Sequence, residues 1–207
     1  SGRKPEDIRL MAVTKTIQPL YVNHAIENGI NLIGENKVQE LLSKADYIKN
    51  AEKHMIGHLQ TNKVKDIVGK IDMLQSLDSL KLASELSKRA AGKGMKIKTL
   101  LEVNIGKEEG KTGFFGEEIP EIAHEISEME NIDVRGLMAI PPICEDSVNL
   151  YAYFYNMHKL FIDISSKKLD NIRMEILSMG MSGDYREAII SGANLVRIGS
   201  LIFGNRF

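Results

Sequence analysis

The sequence predicts an α/β fold, a single (β/α)8 TIM barrel, and three observations lead there. Short apolar, β-branched runs recur along the 207 residues, segments of helical spacing separate them, and the turn after the first run carries no glycine fingerprint. Strand and helix alternating without a break imply parallel pairing through right-handed crossovers. Eight strands are the number that closes a barrel, and this length lies at the small end of the usual range. An open doubly wound sheet is the competitor. Against it, "VTKTIQP" lacks the glycines a dinucleotide site would need in that position. No linker or repeat interrupts the chain, so one domain over 1–207 is expected.

Taken in order, "IRLMAVT" is the first strand, running into Lys15, and Pro19 closes the passage. "NLIGE", "MIGHLQ" and "DMLQSLD" are the next three strands. From Ser79 a helix is expected, with Leu82, Ala83, Leu86 and Ala90 on one face and Gly92 and Gly94 near its stop. "IKTLLEVNI" follows as the fifth strand. The segment 117–130 places Ile119, Ile122, Ala123, Ile126 and Met129 on one face, and Glu117, Glu118 and Pro120 suit its start. "DVRGLMAI" is the sixth strand. The long amphipathic helix "VNLYAYFYNMHKLFIDISSKK" then turns Tyr153, Met157, Leu160, Phe161 and Ile164 toward the core. "EILSMGM" and "LVRIGSLIF" complete the set. Seven helices can be read after these strands; the eighth is expected ahead of residue 1 or absent.

Composition excludes several classes. Hydrophobic residues make up 43% and charged residues 27%, an ordinary globular balance. The net charge is −1 and the basic residues are scattered, so no nucleic-acid partner is expected. No apolar run approaches the roughly 18 residues of a membrane span, and no secretory leader is visible. Cys144, in "IPPICED", is the single cysteine, which excludes an internal disulfide and suits a reducing cytoplasm. It reads as an ordinary loop thiol. His54 and His58 resemble a metal pair, but the segment reads as a strand, and four strand residues span about 13 Å. No metal site is expected.

A barrel presents its chemistry at the carboxyl ends of its strands. Those ends carry Lys15, Glu35 and Asn36, His58 and Gln60, Ser76 and Asp78, Asn104, Met138, the run 178–182 and the run 197–200. Phosphate sites in such barrels are built from the loops after strands seven and eight. "SMGMSGDYREA" and "RIGSLIFG" fall in those two places, where Gly199 permits close backbone approach and Ser182 and Ser200 offer hydroxyls. Ser182 or Asp184 would cap the helix that follows. A lysine short of solvent and near Arg197 should lose proton affinity, and a neutral amine condenses with carbonyls. Amine, phosphate cradle and arginine together are what pyridoxal 5′-phosphate (PLP) requires. Two other readings of Lys15 stand beside this one: a residue that snorkels to water or pairs with Glu35 or Asp78, and an aldolase-like amine that captures a phosphosugar without any cofactor.

The passages "AVTKT", "GENKVQE", "HMIGHLQTNKVK", "LLEVNIGKEEGKTGF", "RGLMAIPP", "LSMGMSGDYREAI" and "VRIGSLIFG" carry a resemblance over almost the whole chain. They are similar to the pyridoxal phosphate homeostasis proteins, the YggS and PROSC group, which resemble the N-terminal barrel of alanine racemase, the type III fold of PLP proteins. The resemblance implies a cytoplasmic, mainly monomeric protein that holds PLP as a Schiff base on Lys15 and serves vitamin B6 balance, with PLP-requiring apoenzymes as possible recipients. By position, Ser182, Gly199 and Ser200 would hold the phosphate, Arg197 would face the pyridine nitrogen and Asn36 would lie close by. Met138 and Ile198 would wall the ring, and Asp184 would cap a helix rather than touch the ligand. The family implies a helix ahead of the first strand and no established enzymatic activity. The alternative is a PLP-dependent amino-acid racemase or other amino-acid-transforming enzyme. Racemases on this plan use a tyrosine from an added C-terminal β domain, and a sequence ending at "FGNRF" is expected to lack both.

Overall fold

Eight parallel strands close on themselves in chain order in the computed structural model, which describes residues 2–144 and 147–204. The strands are β1 (Arg9–Val13), β2 (Leu32–Glu35), β3 (Glu52–Met55), β4 (Met73–Leu77), β5 (Ile97–Val103), β6 (Ile132–Ala139), β7 (Ile172–Met181) and β8 (Leu195–Ile198). The helices between and after them are α1 (Pro19–Glu27), α2 (Val38–Lys44), α3 (Val64–Ile67), α4 (Leu80–Ala91), α5 (Ile119–Ser127), α6 (Ser147–Ser166), α7 (Tyr185–Ile190) and α8 (Ser200–Phe203). Pairing of β1 with β8, with Met11 opposite Arg197, completes the cylinder.

Side chains alternate across each strand, and this period of two separates two cores. Met11, Leu32, Met73, Leu100, Met138 and Leu195 pack together inside the barrel. Their neighbours in sequence, among them Leu74, Leu101, Leu137 and Val196, face outward and pack beneath the helices. At the N-terminal end the interior is ionic. Arg9 pairs with Glu52, while Arg135 bridges Asp133 and Glu175 and Arg173 adds to Asp133.

Local signals behave as the sequence reading expects in the middle of the chain. Ser79 caps α4 by accepting the Leu82 N–H, and Leu82, Ala83, Leu86 and Ala90 are its buried face. Pro120 sits in the first turn of α5, whose Ile119, Ala123 and Ile126 are buried. One glycine has no substitute: Gly136 lies at a register shift between β6 and β7 with φ of +149°, and a Cβ there would meet the Ile176 carbonyl oxygen at 1.8 Å.

Two expectations are corrected. The third strand begins at Glu52 and ends at Met55, so His58 and Gln60 lie in a loop and not in a strand. Its polar start hid it, because Glu52 points to the ionic end of the barrel and Lys53 points out. The apolar tail of "LVRIGSLIF" is not strand either. β8 stops at Ile198, Gly199 turns the chain, and hydrogen bonds from the Phe203 and Gly204 N–H groups to the Gly199 and Ser200 carbonyls wind α8. The eighth helix is therefore within the chain, and each strand is followed by one.

Candidate functional site

Lys15 follows β1 by two residues. Thr14 turns outward, its hydroxyl donating to the Glu35 carboxylate at 2.7 Å, and Lys15 comes next at the C-terminal end of the strand, half-buried in the turn that the Ile17 N–H closes on the Thr14 carbonyl at 3.0 Å. The turn beyond it is anchored from α2. Lys44 Nζ donates to the Thr14 carbonyl at 2.8 Å, to Glu35 Oε1 at 2.9 Å and to Glu40 Oε2 at 3.2 Å. Glu40 in turn accepts the Thr16 N–H at 2.6 Å, holding Thr16 at a positive φ of 63°. Glu35 thus faces away from the mouth as the partner of a different lysine, and Asp78 is paired with His58 at 2.6 Å. Neither carboxylate that could have neutralised Lys15 does so.

The loops after β7 and β8 meet, since the Gly199 N–H donates to Ser182 Oγ at 3.3 Å. Ser200 opens α8 beside them. Asp184 occupies the N-cap position of α7, but its carboxylate accepts the Met181 N–H and makes no cap bond to the helix. Burial raises its pKa, and the Met181 N–H and nearby Arg197 only partly offset that.

Arg197 projects inward from β8 and is 3% exposed. Its Nη1–H donates to Ser178 Oγ at 2.6 Å and its Nη2–H to the Ala139 carbonyl at 2.9 Å. Burial pulls its pKa down to about 10, against the pull of Asp184 and Glu102. Ile198, the next residue, faces out and packs in the outer core, lining a groove with Tyr185 and Leu201. The expectation that Ile198 walls the site is therefore corrected by strand alternation, whereas Met138 does lie inside the barrel.

Asn36, just past β2, is inward by the same alternation. Its Oδ1 is buried with no hydrogen-bond partner among the described residues, and Gly57 packs so closely on the Asn36 backbone that a Cβ would come within 2.3 Å of its carbonyl oxygen. An acceptor buried without a partner costs about 1–3 kcal/mol, which a bound donor would relieve.

Glu102 was missed in the sequence. It lies on β5 in phase with the inward Leu100, its Oε2 is buried without a partner, and burial raises its pKa despite the Thr112 hydroxyl at 3.1 Å. A charged residue inside an apolar strand and two positions from a core leucine was the available signal. Other expected rim residues are structural: Asn104 bonds both ways with the Glu108 backbone, and Ser76 donates to the Gly57 carbonyl. Lys111 pairs with Glu108, and Cys144 sits half-buried with its thiol on the Pro142 carbonyl.

The polar set fits a phosphorylated aldehyde: an amine without a carboxylate partner among the described residues, two loops joined through a hydroxyl and an amide, a buried guanidinium, and one acceptor, an orphaned amide oxygen. The family model for the alanine racemase N-terminal domain matches residues 3–206. The pyridoxal phosphate homeostasis protein of Aquifex aeolicus is 39% identical over 208 residues, covering 100% of this chain and 90% of its own. PipY of Synechococcus elongatus superposes with a TM-score of 0.91 without PLP, at 29% identity, covering 98% of this chain and 95% of that one. Its form with PLP bound superposes at 0.88, with 28% identity and the same coverage.

Proposed function

The chain belongs to the pyridoxal phosphate homeostasis proteins, and we propose on that footing that it binds pyridoxal 5′-phosphate and serves PLP and vitamin B6 homeostasis, Lys15 holding the cofactor reversibly as a Schiff base. The observation that carries this reading is that Lys15, Arg197 and the Ser182–Gly199 contact come from the C-terminal parts of β1, β7 and β8, with no carboxylate partner for Lys15 among the described residues. When bound, PLP supplies an aldehyde that combines with amines with loss of water, a reversible step suited to storage and delivery.

The chain's own groups divide the work. Ser182, Ser200 and the Gly199 N–H would hold the phosphate, and Asn36 Oδ1 would accept from the ligand. Arg197 can only donate, so beside the ring nitrogen it disfavours protonation there and keeps the ring a poor electron sink. That favours carriage over amino-acid chemistry. As a cytoplasmic monomer the protein would shield cells from a reactive aldehyde and pass it to PLP-requiring apoenzymes.

The test is the absorbance spectrum of purified protein loaded with PLP, before and after borohydride. A visible band that borohydride removes, with the adduct mapped to Lys15, supports the reading. Persistence of that band in Lys15→Ala would refute it. Amino acids incubated with the loaded protein in deuterated water should keep their α-protons, whereas a racemase would exchange them.

A further inference from the structure

One set of polar residues inside the barrel leads away from Arg197 through its Ser178 contact. His54, Gln75 and Ser178 are 0% exposed and come from β3, β4 and β7. They form an unbroken chain. Arg197 Nη1–H reaches Ser178 Oγ at 2.6 Å, Ser178 Oγ reaches Gln75 Oε1 at 2.7 Å, Gln75 Nε2 reaches His54 Nδ1 at 2.8 Å, and His54 Nε2 reaches Glu52 Oε1 at 2.7 Å. The chain runs past the Met, Leu and Ile side chains of the inner core, from the ionic end at Arg9 and Glu52 to the C-terminal mouth.

Its polarity is determined by its two ends. Glu52 can only accept and Arg197 can only donate. A neutral His54 gives its Nε2–H to Glu52 and leaves Nδ1 to accept from the Gln75 amide. Gln75 Oε1 is then free to accept the Ser178 hydroxyl hydrogen, and Ser178 Oγ accepts from Arg197 through one of its two lone pairs. Every donor along the chain meets one acceptor. A protonated His54 would set its Nδ1–H against the Gln75 amide N–H and reverse that amide, stranding the Ser178 hydrogen. Burial lowers the His54 pKa, against the pull of Glu52 and Asp72 and with that of Arg9, and so supports the neutral form. A buried network is stabilising only when every member is satisfied. Apolar side chains would fill this space more simply.

We infer that Glu52, His54, Gln75 and Ser178 are positioning residues that fix the Arg197 guanidinium from the opposite end of the barrel, a role that rests on Arg197 facing the cofactor ring as proposed above. Among the described residues the guanidinium hydrogen-bonds a hydroxyl and a carbonyl, so the position of the Ser178 hydroxyl helps decide where it is held.

The experiment uses the full chain. In 15N-histidine-labelled protein without PLP, nitrogen chemical shifts should report a neutral His54 with its proton on Nε2 at pH 7. Gln75→Leu and Ser178→Ala should still give a borohydride-trapped adduct on Lys15. Their PLP affinity should fall about tenfold, the loss of one hydrogen bond to a charged group, with a shift of the visible band. Ser178→Ala removes a single hydroxyl and decides the matter if Gln75→Leu does not fold. A proton on Nδ1 of His54 in the unaltered protein, or unaltered affinity and band in the folded variants, would overturn the inference. Failure of the unaltered protein to form any Lys15 adduct would instead strike the functional reading, and the His54 tautomer would still judge the chain.

Discussion

Lys44→Met should be the most informative change outside the site. Lys44 and Glu35 have side chains 10% and 3% exposed, and Lys44 Nζ is within hydrogen-bond distance of Glu35, Glu40 and the Thr14 carbonyl. Removing the ammonium leaves Glu35 as a buried charge with only Thr14 for company, and its Oε2 already lacks a partner. Breaking one side of such a pair costs about 3–5 kcal/mol. With a urea m-value near the upper end of the usual range, ~3 kcal/mol/M, the unfolding midpoint should fall by about 1–1.7 M. The double change Glu35→Leu, Lys44→Met removes both charges and should recover most of that loss, since an apolar pair of similar volume replaces an ion pair at little cost. Urea unfolding followed by circular dichroism measures both. A midpoint within about 0.3 M of the unaltered protein for the single change would refute the reasoning, as would a double variant no more stable than the single one. The same contact holds the backbone on either side of Lys15, so PLP capture by Lys44→Met should also weaken.

Acid should destabilise the barrel in two windows. The His54 N–H and then Arg9 hold the Glu52 pKa down to about 2, so the stability it contributes is present above its ordinary range near 4.5 and disappears as pH falls toward 2. Burial lowers the His54 pKa, so stability should also fall as pH drops below about 6.5, where the unfolded chain takes up that proton first. Urea midpoints between pH 2 and 7 should show both losses, and Glu52→Gln should flatten the lower one. Gly57→Ala places a Cβ 2.3 Å from the Asn36 carbonyl oxygen and should displace Asn36, weakening PLP binding in a fluorescence titration while Lys15 still forms its adduct. Ser182→Ala removes the acceptor for the Gly199 N–H and should weaken PLP binding about three- to tenfold with unchanged unfolding.

The architecture was legible because its signals are local. Alternating apolar runs, the Ser79 cap and the apolar face of 117–130 each lie within a dozen neighbouring residues, and periodicity reads them directly. The boundaries of β3 and β8 were not. Glu52 is polar because it meets charges from across the barrel, and "SLIF" is apolar because α8 packs back against the outer core. Both facts belong to distant segments.

The site divides in the same way. Lys15, Arg197 and the two serine-glycine loops are candidates that the sequence alone can nominate, since an amine, a guanidinium and paired hydroxyl and amide donors are recognisable by residue type. Their phase was not read there: Arg197 and Ile198 were both expected at the ring, and only the closed barrel, by strand alternation, turned Arg197 inward and Ile198 into the outer core. Which charges neutralise one another was decided by tertiary structure alone. Glu35 stands next to Asn36 yet pairs outward with Lys44, and Glu52 at one end of the barrel reaches Arg197 at the other through His54, Gln75 and Ser178 from three strands. Electrostatic partnership depends on distance in space, and a barrel brings together residues that the chain holds more than a hundred positions apart.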